Sequence, residues 1–282
     1  MNERSTAPLS VWPTGQRDLL TQLREAGYVP GTETDAERVP PAVAAHAIAA
    51  YSRPGDLVLD PDCGAGTVLA ETLRAGRHAL GLTAHSRWWK LARANVTAAK
   101  AGGAWCDGSV LDARPKVLST VRAAGLLGRV GLILTSLRTA PDRTTGTDSA
   151  AVEVAVAELA TTLIHCEPLL RSGGYIAVVS RPRRRADGSL ADLTTPLIAA
   201  GVAAGLAPVE RCVALTAELR GSRLVTHASF AERHAADRAQ TAVVAHLEVL
   251  IFQLVHDAEL AAAEVGRLPV KTVASPGWGR AA

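Results

Sequence analysis

The sequence predicts a Rossmann-like, doubly wound α/β fold: a seven-stranded, mostly parallel sheet with helices on both faces. Three observations carry that expectation. Short apolar runs alternate with longer amphipathic segments along most of the chain, as β-α-β units require. The glycines Gly76, Gly102-Gly103 and Gly173-Gly174 stand where helices should stop. An apolar run that ends in an acid, Leu57-Val58-Leu59-Asp60, opens through a glycine turn into an Ala/Leu-rich helix.

In chain order, residues 16–26 and 41–51 read as two preliminary helices, the second opening after Pro40-Pro41, where proline suits the first helical turn. Strands are expected at residues 57–60, 78–82, 104–107, 130–135, 175–180, 209–215 and 243–252. Helices fall between them at 66–75, 86–100, 149–170 and 192–204. Residues 216–242, rich in Arg, His and Ala, form a connection or small insertion between the last two strands, and 266–282, with two prolines and three glycines, a flexible tail. The expected organisation is a helical segment at 1–52 flanking the ligand edge, a core domain at 53–265, and the tail.

A chain of 282 residues with 48% apolar content can bury one sizeable core. The formal charge of +3 is too small to announce nucleic-acid binding, so any basic footprint must be local. Cys63, Cys106, Cys166 and Cys212 stand far apart without a C-x-x-C pair. This suggests neither a zinc site nor a disulfide framework, and fits a reducing, cytoplasmic setting. No window reaches the length of a membrane span, and residues 1–11 lack the apolar core of a signal peptide, so neither export nor membrane insertion is expected.

In an open α/β sheet the ligand lies beyond the carboxyl ends of the strands, where Gly64 and Gly66 let backbone approach it closely. The same turn also serves any tight strand-to-helix passage. A dinucleotide fold would want a small residue at 69 and an acid ending the second strand, where this chain has Leu69 and Thr83.

The run Arg53-Pro54-Gly55-Asp56-Leu57-Val58-Leu59-Asp60-Pro61-Asp62-Cys63-Gly64-Ala65-Gly66-Thr67 resembles the S-adenosylmethionine-dependent DNA methyltransferases that modify adenine N6 or cytosine N4. Those proteins carry D-P-F-C-G-S-G-T there, and six of the eight positions match. The likeness extends to residues 76–81, 132–136 and 246–252. It implies a class I methyltransferase fold, S-adenosylmethionine as cofactor, and DNA as partner, with RNA or a small molecule as other substrates of such folds.

By that resemblance Asp60 anchors the methionine amino group, and Pro61, Cys63, Gly64, Ala65, Gly66 and Thr67 wrap the same end of the cofactor. Thr83 stands where the family has an acid for the ribose hydroxyls, and Ser109 where an acid meets the adenine amine after the third strand. Asp107 and Asp112 lie nearby. Asp62 replaces the family's phenylalanine wall with a carboxylate.

The family's catalytic loop is [D/S]-P-P-[Y/W], whose acid or Ser oxygen and rigid carbonyl accept the amine's hydrogens while the ring stacks on a flipped base. Here it reads Ser136-Leu137-Arg138-Thr139. Ser136 and the Leu137 carbonyl keep the two acceptors, Thr139 has no ring, and without proline the loop lacks that source of fixed geometry. Arg138 is a candidate phosphate contact. Arg181, Arg183, Arg184 and Arg185 leave the fifth strand on the ligand edge and are candidates for gripping a nucleic-acid backbone. Beside the methyltransferase stands a second reading, a non-catalytic nucleic-acid-binding or regulatory protein on the same fold.

Overall fold

The computed structural model describes residues 8–120, 125–139, 149–185 and 187–260. Its strands are β1 (Val11–Trp12), β2 (Leu57–Asp60), β3 (His78–Thr83), β4 (Gly108–Asp112), β5 (Val130–Ser136), β6 (Leu170–Ser180), β7 (Leu206–Leu215), β8 (Glu218–Arg220), β9 (Arg223–Val225) and β10 (His246–Leu254). The helices are α1 (Leu19–Glu25), α2 (Pro41–Tyr51), α3 (Thr67–Arg74), α4 (Ser86–Ala101), α5 (Ser149–Cys166), α6 (Thr194–Ala203) and α7 (Phe230–Arg238). Eight strands form one sheet in the order β1-β7-β10-β6-β5-β2-β3-β4, and β8-β9 make a separate hairpin. Only β10 runs antiparallel to its neighbours.

The sheet therefore has one strand more than the sequence predicts. The addition is β1, two residues long and ended by Pro13, too short to show a period of its own. It lies parallel to β7 through Val11↔Val213 and is pinned by Trp12, which is fully buried, stacks 4.6 Å from His46 and donates from Nε1 to the Leu9 carbonyl at 2.8 Å.

A second correction concerns the third expected strand, read at residues 104–107. The strand is instead β4, Gly108–Asp112, because the apolar run Ala104-Trp105-Cys106 splits: Cys106 is buried and Trp105 is 75% exposed. Gly108 looks like a breaker, yet it lets the strand meet α3 and α4, since a methyl on it would stand 2.9 Å from Leu73 and 3.0 Å from Val96.

Alternation along the central strands builds two layers. Leu59, Ile133, Ile176, Val178, Leu250 and Phe252 point to the face covered by α5 and α6. Val58, Leu132, Leu134, Ala177, Val179, Val249 and Ile251 point to the other, where α2 packs. Helices α3 and α4 extend that second layer over β3 and β4. With both faces covered, the central strands read as nearly continuous apolar runs rather than alternating ones.

From β2 the chain moves outward through β3 to β4, then returns to β5 on the other side of β2. The strand order reverses there, so the crevice lies beyond Asp60 and Ser136, at the carboxyl ends of adjacent parallel strands. The segment 216–242 rises from the carboxyl end of β7 on the same edge of the sheet. It holds the β8-β9 hairpin and α7, and His227 ties it to the Gly15 carbonyl at 2.9 Å. The expected tail at 266–282 lies outside the described residues. Among the described residues no helix is long and apolar enough to cross a membrane.

Candidate functional site

The loop leaving β2 is built to bring bare backbone into the crevice. Gly64 (φ 48°) and Gly66 (φ 81°) take left-handed conformations that a side chain would strain, and a methyl on Gly66 would meet the Ala92 backbone at 2.8 Å. Cys63 donates its N–H to the Leu82 carbonyl at 2.8 Å, which fixes the loop to β3. Thr67 donates its hydroxyl to the Val39 carbonyl at 2.8 Å. Asn95, fully buried on α4, donates from Nδ2 to the Ala65 carbonyl (2.9 Å) and the Thr32 hydroxyl (2.8 Å), and accepts from the Val29 N–H at 2.9 Å. The loop is thus fastened to β3, α4 and the segment before α2.

Asp60 ends β2 with its carboxyl 3% exposed, accepting from the Asp62 N–H at 3.2 Å. Burial, reinforced by the Asp62 carboxylate, pushes its pKa up to about 8. Near neutral pH it is largely protonated, and a cation placed against it would favour the charged form.

The segment between α1 and α2 supplies two acids that sequence reasoning missed. Asp35, 1% exposed, accepts from the Ala65 N–H at 2.9 Å with Oδ2 and from Arg138 Nη2 at 2.7 Å with Oδ1. Arg138 Nε also lies 3.7 Å from Asp62 Oδ2. Burial alone would lower the arginine's pKa, but the carboxylates of Asp35 and Asp62 raise it, so the guanidinium is firmly charged. Glu37 accepts from the Thr139 N–H (2.6 Å), the Thr139 hydroxyl (2.5 Å) and Arg183 Nη2 (2.6 Å), while its backbone carbonyl accepts from Ser136 Oγ at 2.8 Å. The signal that could have found them is charge: Glu33, Asp35, Glu37 and Arg38 crowd a short stretch just before a proline-started helix.

The tetrapeptide 136–139 is ordered without proline. Leu137 is buried in the core and donates its N–H to the Val179 carbonyl at 2.8 Å, while Ser136 and Thr139 hang on Glu37. Packing and hydrogen bonds replace the fixed φ that proline would give. The cleft beside it, lined by Ser136, Leu137, Val179, Ser180, Arg181 and Leu247, has a volume of ≈ 10 Å³, room for about one water.

The remaining candidates separate. Thr83 ends β3, 1% exposed, and accepts weakly from the His85 N–H at 3.4 Å. Ser109 corrects its expected place after the third strand. It lies inside β4, paired with Leu80 and exposed, about 10 Å short of the carboxyl edge. Asp112, opposite Thr83, holds that edge instead. Arg138 lies inside the site, its side chain 13% exposed, rather than on the outward face. Arg183 is turned inward to Glu37. Arg184 and Arg185 run along their own loop, donating to the Gly188 and Leu190 carbonyls at 3.1 Å; Arg181 and Arg185 are exposed and Arg184 is half-buried. Among the described residues no cluster of three or more His, Cys, Asp or Glu could hold a metal.

A family model described as DNA methylase, N6_N4_Mtase, matches residues 1–93. The resemblance read from the sequence holds there. That stretch contains the whole glycine loop, Asp35, which holds it, and Glu37, which holds residues 136–139. No curated protein matches the chain in sequence. Among solved structures, TrmN from Thermus thermophilus superposes with a TM-score of 0.51 at 16% identity over 83% of this chain, which spans 53% of that protein. A putative RNA methyltransferase from Pyrococcus horikoshii gives 0.48 at 10% identity, over 84% of this chain and 98% of that one. A TehB-like S-adenosylmethionine-dependent methyltransferase from Corynebacterium glutamicum gives 0.44 at 13% identity, over 83% and 94%. The fold is that of the class I S-adenosylmethionine-dependent methyltransferases.

Proposed function

We propose that this chain is an S-adenosylmethionine-dependent methyltransferase that binds its cofactor at the loop after β2 and acts on an exocyclic base amine of nucleic acid, adenine N6 or cytosine N4 in DNA. One observation carries the reading. Asp60 with its glycine loop and Ser136 with the Leu137 carbonyl stand at the ends of adjacent parallel strands, at the point where the sheet reverses order.

The residues present fit the cofactor. Its methionine end carries an ammonium, for which Asp60 is the buried acid, and Gly64 and Gly66 leave backbone bare beside it. When bound, the cofactor supplies an electrophilic methyl group on a sulfonium. Pro61, Cys63, Ala65 and Thr67 shape the loop, and Asp112, rather than Ser109, stands at the carboxyl edge where the adenine would lie. Thr83 offers a ribose one hydroxyl where an acid would accept two charge-assisted bonds.

At the substrate side, Ser136 Oγ donates its single proton to the Glu37 carbonyl. Its lone pairs are thereby left to accept, the role an amine hydrogen requires. Accepting both amine hydrogens, through Ser136 and the Leu137 carbonyl, pulls the nitrogen toward the tetrahedral geometry that frees its lone pair for attack. Arg181, Arg184 and Arg185 are the proposed backbone contacts.

The second reading, a non-catalytic nucleic-acid-binding protein, is favoured by the ≈ 10 Å³ cleft and by Thr139, which offers no ring for a flipped base. Two measurements decide. Calorimetry with S-adenosylmethionine should give a measurable constant, and no heat at millimolar ligand sinks the cofactor site. Labelled methyl should pass to unmethylated genomic DNA and be lost in Ser136→Ala; transfer that persists in that variant removes Ser136 from the mechanism, and no transfer with cofactor bound selects the second reading.

A further inference from the structure

We infer that Arg138 is a cofactor-binding residue, holding the carboxylate of the cofactor's amino-acid end. The inference rests on the proposed S-adenosylmethionine site. Where the family has proline, this chain places a guanidinium, and three observations direct it toward a small zwitterion rather than a nucleic-acid phosphate.

The first is position. The arginine leaves the end of β5 and turns back onto the glycine loop of β2. A methyl on Gly64 would lie 2.6 Å from its Nη2 and 2.7 Å from its Nη1, so the charge rests on a residue of the loop that has no side chain to exclude it. With 13% of the side chain exposed, it does not project far enough to meet a duplex backbone.

The second is fixation. Asp35 Oδ1 holds Nη2 at 2.7 Å, Asp62 Oδ2 lies 3.7 Å from Nε, and Asp35 is itself held by the Ala65 N–H. A guanidinium held from two sides is preorganised, and no rotamer freedom remains to be lost on binding. No hydrogen bond occupies Nη1 among the described residues.

The third is charge balance. Around this cation stand three carboxyl groups, Asp35, Asp60 and Asp62, with buried Arg38, bonded to the Asp35 carbonyl, as a second cation. An anionic phosphate would enter a site dominated by acids. The methionine end of the cofactor carries two positive centres and one carboxylate, which suits a site where three acids outnumber two arginines. The ammonium goes to Asp60, the carboxylate to Arg138, and the sulfonium is kept from an unneutralised cation because Asp35 and Asp62 already balance the guanidinium.

The test compares two ligands by calorimetry: S-adenosylhomocysteine, which has the amino-acid end, and 5′-methylthioadenosine, which lacks it. Arg138→Leu should weaken the first by about ten- to a hundredfold, the loss of one charge-assisted pair, and leave the second within about twofold. Arg138→Lys keeps the charge without the fork and should fall between wild type and Arg138→Leu for the first ligand only. Retained 5′-methylthioadenosine binding shows that the variant site is folded. Equal losses for both ligands in Arg138→Lys, unchanged affinities, or tighter binding of both in Arg138→Leu would each overturn the assignment, the last making the arginine a plug. Wild type that binds neither ligand defeats the cofactor site itself, which distinguishes that failure from this one.

Discussion

A single buried amide does much of the positioning in this site. Asn95 sits on α4 and satisfies three partners, the Val29 N–H, the Thr32 hydroxyl and the Ala65 carbonyl. Removing it leaves two backbone groups buried without partners, each costing about 1–3 kcal/mol. Asn95→Ala should therefore lower the unfolding free energy by about 2–4 kcal/mol in a denaturant titration; a loss under 1 kcal/mol would mean that water or a rearranged loop takes its place. Asp60 gives a residue-scale prediction in pH. Its folded pKa is about 8 against an ordinary 3.8, so the folded state holds a proton that the unfolded chain releases between those values. The stability this group contributes is complete below pH 4 and is lost as pH rises toward 8. Asp60→Asn lacks that proton, so the melting temperature of wild type minus that of the variant should fall steadily from pH 5 to pH 9, and a flat difference would contradict the buried-acid account. If Asp60 receives the cofactor's ammonium, binding should also release protons near pH 7, visible as a buffer-dependent heat.

At the scale of elements, close approach explains what pattern reading could and could not see. Gly201 lies within α6 where the helix crosses Phe252, a fully buried ring on β10; a methyl there would stand 2.7 Å from Cδ1 and closer still to Cε1. Gly201→Ala gains helix propensity but must push the helix off the sheet, and a net loss of about 1–3 kcal/mol is expected in thermal or chemical unfolding. A second test concerns residues 136–139. Leu137→Pro restores the family's residue yet deletes the N–H donated to the Val179 carbonyl and a buried side chain, so it should destabilise by about 2–4 kcal/mol rather than stabilise. The central strands were legible because burial on both faces writes nearly continuous apolar runs, and α2 because Pro40-Pro41 marks its start. The edges were not. β1 is two residues long, and β4 has a glycine where packing demands one and an exposed Trp105 just before it. The glycine loop announced its own site, but its partners Asp35 and Glu37 did not, because a carboxylate in a loop looks solvated until the fold brings an arginine to it.

For the whole molecule, the carboxyl edge of the sheet gathers the candidate groups other than Ser109, and the 216–242 appendage stands on that same edge at its β7 side. A net charge of +3 spread over 282 residues gives no long-range pull on nucleic acid, so the proposed contacts are local, in the loop after β6. With Arg183 drawn inward by Glu37, the remaining charges of that loop are Arg181, Arg184 and Arg185, of which Arg184 and Arg185 bond to carbonyls of their own loop. Their double replacement by alanine should weaken DNA binding evenly across sequences and reduce the slope of log affinity against log salt by about 2. An unchanged slope in fluorescence anisotropy would remove that loop from the interface.

The clamp that joins residues 35–37 to residues 136–139 has a consequence in time. Its bonds span 99 to 103 residues of chain, Ser136 to Glu37 and Arg138 to Asp35, and they close only after β2, β3, β4 and β5 lie side by side. The segment that carries Asp35 is made first on the ribosome and must wait, unpaired, for an arginine synthesised about a hundred residues later. Contacts so distant in sequence are slow to form. The glycine loop should therefore be among the last parts of the chain to settle, so that the Ala65 amide gains protection from hydrogen exchange after the amides of the central strands.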